Sequence, residues 1–81
     1  MKLNEVPEQY RLYTVCMSNG SRHLVSGNTK KAIMEAKSSW VEITGGNLLN
    51  KNFIVEFKLN IDATKENVQS HSEEIKKALS L

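Results

Sequence analysis

From Phe53 to Ile61 the chain reads FIVEFKLNI, in which Phe53, Val55, Phe57, Leu59 and Ile61 alternate with Ile54, Glu56, Lys58 and Asn60. Successive side chains of a strand point to opposite faces, so this spacing predicts one strand with its first set buried and its second set mostly wet. No other stretch of the chain carries as long a periodic signal. It therefore serves as the expected organiser of the core.

The same logic places two hairpins upstream. Tyr10–Ser18, YRLYTVCMS, is rich in β-formers, and Asn19-Gly20 separates it from a return strand over Ser21–Ser26. An Asn-Gly pair between two such runs predicts a two-residue type I′ turn, which needs positive φ at both central residues. That turn sets Cys16 opposite His23, Val15 opposite Leu24 and Thr14 opposite Val25. Tyr13, Val15, Met17 and Leu24 then share the core face, while Leu12, Thr14, Cys16, His23 and Val25 share the other. Further on, Trp40–Thr44, Gly45-Gly46 and Asn47–Asn50 read as a strand, a turn and a returning strand.

Helical spacing appears twice. Gly27 ends the first hairpin, and Asn28 or Thr29 is the expected N-cap of a helix from about Thr29 to Ser38. Ala32, Ile33 and Ala36 form its narrow apolar stripe. Residues 62–81 form a C-terminal helical segment. In it Asp62–Ser70 is either the first half of a helix or a linker, and Ser70-His71-Ser72-Glu73 fits a capping box opening a helix to about Leu79. Residues 1–8, ending at Val6-Pro7, are expected to be a loose lead-in. The expected fold is α+β: one domain over 1–81, with an antiparallel sheet of four to five strands in β-β-α-β-β-α order and helices packed on the sheet.

Composition narrows the function classes. A chain of 81 residues with 40% hydrophobic residues buries only a modest core. Cys16 is the single cysteine, so an internal disulfide is excluded and a reducing compartment is expected. Eleven Lys/Arg against nine Asp/Glu give a net charge of +2, too balanced to point to nucleic acid or an anionic membrane. MKLNEVPEQY lacks the apolar centre of a signal peptide and no apolar run could span a bilayer, so a cytoplasmic protein with no membrane partner is expected.

Candidate chemistry is sparse. Cys16 beside His23 would resemble an activated thiolate, but the commoner arrangement is a half-buried cysteine next to a surface histidine. With His71 the only other histidine, no metal-ligand set forms, and no cofactor motif is present. Glu42 and Glu56 on neighbouring strands read as wet-face carboxylates. No nucleophile–base–orienter set is visible, so no enzyme is expected. Lys30-Lys31 in the first helical turn oppose the macrodipole, and with Arg22 and Lys51 they form a candidate anion or nucleic-acid patch. Leu12, Cys16, His23, Val25 and Ile54, placed on a sheet face with no assigned cover, form a candidate protein-contact surface.

The segments YTVCMSNG and WVEITGGNLLNKNFIV, in this order around a short helix, resemble small orphan proteins of Gram-positive phages and prophages. The resemblance spans roughly residues 10–60 and transfers no site residue. Members with known roles tend to bind a host or defence protein and block or redirect it. The resemblance thus implies a non-catalytic protein-binding module, an inhibitor or regulator acting in the host cytoplasm. Nucleic-acid or phosphate binding through the basic helix end, and a structural homo-oligomer, are the alternatives carried forward.

Overall fold

The structure, a computed structural model, describes residues 2–79. The ends of the expected lead-in and tail, residues 1 and 80–81, lie outside the described residues. The fold is α+β. Strands β1 (Leu12–Met17) and β2 (Arg22–Ser26) precede helix α1 (Gly27–Glu35). Strands β3 (Trp40–Ile43), β4 (Asn47–Asn50) and β5 (Ile54–Leu59) follow, and then helices α2 (Ile61–Ser70) and α3 (Ser72–Leu79). Instead of one sheet of four to five strands there are two: a three-stranded antiparallel sheet in the order β2-β1-β5, and a separate β3-β4 hairpin.

The first hairpin departs from expectation by one residue. Gly20 N–H donates to the Met17 carbonyl and Met17 N–H to the Ser21 carbonyl. Gly20 has φ 89°, and among the described residues no non-glycine residue has positive φ. This is a three-residue loop, a type I turn closed by a left-handed glycine, in place of the type I′ turn. Three bonds favour it. The Ser18 N–H is taken by the Phe53 carbonyl at 2.8 Å, so it cannot close a two-residue loop. The Asn19 Oδ1 accepts from the Ser21 N–H and hydroxyl, at 3.0 and 2.7 Å.

One residue of register reverses every side chain of the return strand. Val15 now faces His23, Cys16 faces Arg22 and Tyr13 faces Val25. Val25 therefore enters the core at 1% exposure, while Leu24 is exposed.

The organising stretch is also corrected. Only Ile54–Leu59 is strand; Phe53 ends a short 3-10 turn and Ile61 begins α2. Pairing runs Tyr13–Leu59, Val15–Phe57 and Cys16–Glu56, and then jumps to Met17–Ile54. Val55 is the extra residue of this bulge, and a bulge breaks the alternation. Ile54 and Phe57 consequently pack against the core together, while Phe53 and Val55 stand 56% and 66% exposed.

The core is the buried cluster Tyr13, Val15, Val25, Ile33, Ile43 and Leu49. It joins one face of the main sheet to α1, through Ile33, and to the small hairpin, through Ile43 and Leu49. The hairpin forms where expected, with Gly45 and Gly46 at φ 87° and 77°. Helix α1 starts and ends earlier than expected, because the Ser26 hydroxyl, and neither Asn28 nor Thr29, caps it by accepting the Thr29 N–H at 3.2 Å.

Helix α2 opens on the Asn60 side chain, which accepts the Ala63 N–H. The expected capping box does not form: Ser70 closes α2, and its hydroxyl donates to the Glu66 carbonyl. The lead-in is not loose. Val6 is buried, and Arg11 donates to the carbonyls of Val6 and Asn4 and to the Glu8 carboxylate. Tyr10 ties this segment to the tail: its carbonyl accepts from Asn67 and its hydroxyl donates to Glu74.

Candidate protein-contact edge

The anticipated sites do not assemble as expected. Cys16 and His23 project from adjacent pairing positions, so their side chains lie on opposite faces of the sheet. Glu42 belongs to the small hairpin and Glu56 to the main sheet. The five contact candidates divide in the same way. Val25 and Ile54 belong to the core side, with His23 on that same face. Leu12 and Cys16 lie on the other face, both half-buried. That second face is more polar than expected, carrying Arg22, Glu56 and Lys58 beside Thr14 and Cys16.

The cations are dispersed as well. Arg22 stands on the open sheet face opposite Cys16. The Lys51 ammonium donates to the Ala36 carbonyl just past the end of α1, where a cation complements the helix dipole. The Lys30 ammonium lies 4.3 Å from the centroid of the Tyr13 ring, a cation–π contact. With α1 starting at Gly27, Lys30 and Lys31 fall at the end of its first turn, Lys31 exposed. The acid that complements this helix end is internal. Glu8 packs on Gly27, and its carboxylate accepts from the Tyr13 hydroxyl at 3.0 Å and from Arg11 at 3.2 Å.

The feature that stands open is the outer edge of β5. Among the described residues this strand ends the three-stranded sheet, with no strand beyond it. Asn60 N–H donates to the Leu12 carbonyl, which places Asn60, Lys58 and Glu56 in the set whose backbone groups face β1. By alternation, Phe57 and Leu59 turn their N–H and C=O groups outward. Beside this edge an open groove of about 390 Å³ runs between α1 and β5, walled by Met34 and Val55. Both walls are exposed, at 65% and 66%.

Reading the sequence by strict alternation put Val55 in the core and gave Met34 no role. A signal for Met34 is present in the sequence, since at helical spacing it falls outside the stripe of Ala32, Ile33 and Ala36. Val55 gave none, because a bulge is fixed by which partner strand is bonded and not by the local pattern.

Among the described residues no group of three or more His, Cys, Asp and Glu side chains could hold a metal ion, and no helix is long and apolar enough to cross a membrane. No protein-family model matches the chain, and no curated protein or solved structure matches it.

Proposed function

We propose that this chain is a small non-catalytic protein-binding module whose contact is the outer edge of β5. The observation that carries the reading is that edge: Phe57 and Leu59 present unpaired backbone groups beside the exposed Val55. An added strand would satisfy those groups and cover the apolar side chains at once, which is how sheet edges recruit partners. The likeness of residues 10–60 to phage and prophage orphan proteins supports an inhibitor or regulator that occupies the surface of a host or defence protein. Dispersal of Arg22, Lys30, Lys31 and Lys51 removes the support for a single anion or nucleic-acid site.

Leu59→Pro tests the edge. Proline lacks only the outward N–H there, so the ladder to β1 is retained. Affinity capture from the native cell, run in parallel with wild type and Leu59→Pro, should recover a protein with the first and lose it with the second. Circular dichroism should show the same fold for both. A partner held equally by both proteins overturns the reading, as does a monomeric wild type that captures nothing.

A further inference from the structure

We infer that the β5 edge pairs with the β5 edge of a second copy of this chain, antiparallel about a two-fold axis through Phe57. This rests on the reading of β5 as the contact edge and names its occupant in the free protein, which a foreign partner would have to displace. A two-fold axis makes an interface self-complementary, so residue i meets j and j meets i. Phe57 presents outward backbone groups, so it can exchange both N–H···O bonds with its own copy on the axis. Glu56 then lies directly opposite Lys58 of the second copy, and Lys58 opposite Glu56 of the second copy. Both side chains stand on the face of the sheet away from the core: Lys58 and Glu56 are 65% and 48% exposed, and the Lys58 ammonium and Glu56 carboxylate are already 3.5 Å apart within one chain.

Charge selects this register over its neighbours. Outward backbone groups must meet outward ones, so the centre moves one residue at a time. Centring on Lys58 sets lysine against lysine, and centring on Glu56 sets glutamate against glutamate; like charges directly opposite are unfavourable. A centre beyond Lys58 runs into α2, which begins at Ile61, and one before Glu56 falls on the bulge at Val55. The free edge of β2 offers no equivalent. Self-pairing about Leu24 would set Arg22 against Ser26, with no opposite charge. The product is a continuous sheet in the order β2-β1-β5-β5-β1-β2, with the two half-buried Phe57 rings adjacent across the axis.

Sedimentation velocity of the purified chain over a concentration series tests this. Wild type should dimerise. Glu56→Lys and Lys58→Glu should each weaken the dimer about tenfold, since two opposed pairs become repulsive. Mixing those two variants should restore a dimer near wild-type strength, and so should the double swap within one chain. Single variants that dimerise like wild type, or a mixture that does not recover, overturn the register. A wild type that stays monomeric overturns self-pairing. Leu59→Pro separates this from the broader reading. If it abolishes a dimer that ignores the charge swaps, the edge stands and the register fails. A monomer that still captures an edge-dependent foreign partner likewise leaves the edge standing and removes the second copy.

Discussion

Gly27 lies so close to Glu8 that a Cβ at position 27 would stand 2.2 Å from the Glu8 carbonyl oxygen and 2.7 Å from its Oε1. The contact joins the N-terminal segment to the start of α1, where Gly27 N–H also donates to the Arg11 carbonyl at 2.9 Å. The side-chain carboxylate could swing away from a new methyl group, but the backbone oxygen cannot. Gly27→Ala is therefore expected to destabilise the fold by about 1–3 kcal/mol, an overpacking cost exceeding the gain of under about 1 kcal/mol that alanine brings to a helix. Urea unfolding checks it; a stabilised variant would show that the two segments are not packed this closely.

Thr64 is fully buried, at 0% exposure, and its hydroxyl does the work of a strand. It accepts from the Leu12 N–H at 2.9 Å and donates to the Leu12 carbonyl at 3.3 Å. Thr64→Val keeps the shape and leaves the Leu12 N–H unsatisfied, with an expected loss of about 1–3 kcal/mol. Thr64→Ser should recover much of it. Comparing the two by thermal and urea denaturation separates the hydrogen bonds from the packing.

Arg11 fastens the N-terminal segment through donors to Val6 and Asn4 carbonyls, at 2.9 and 3.0 Å, and an ion pair with Glu8 at 3.2 Å. Arg11→Met preserves the apolar stem and removes all three. A loss of about 1–2 kcal/mol is expected, since the charge is partly exposed and screened. Amide exchange should accelerate over residues 3–10 well before it does in β1. Equal protection in variant and wild type would mean that Val6 burial alone holds the segment.

The observed hairpin register separates Cys16 from His23 by the thickness of the sheet. His23→Ala should therefore leave the rate at which Cys16 reacts with a disulfide reagent unchanged to within about twofold, because no imidazole assists the thiolate. Arg22→Ala, at the position directly opposite Cys16, is the matched control. A large effect of His23 with none of Arg22 would restore the two-residue turn.

Much of the secondary structure is legible in the sequence because its causes are local. β-forming residues mark β1 and β3, alternation marks the body of β5, and Gly45-Gly46 marks the turn between β3 and β4. Helical spacing around Ile33 and in the tail marks the helices. Which face each strand presents is not local. It depends on the Ser18 N–H finding the Phe53 carbonyl, distant in sequence, which shifts the first hairpin by one residue and sends Val25 inward in place of Leu24. It depends equally on the bulge opposite Cys16 and Met17, which turns Val55 out and Ile54 in. The sequence by itself determined that this is a small α+β chain with two hairpins around a short helix and a helical tail, though the described residues run β-β-α-β-β-β-α-α where β-β-α-β-β-α is expected. Only the tertiary structure decided register, the division into two sheets and the free edge of β5, because a strand's alternation is a property of its own residues while its partner and alignment are set by hydrogen bonds to residues far along the chain.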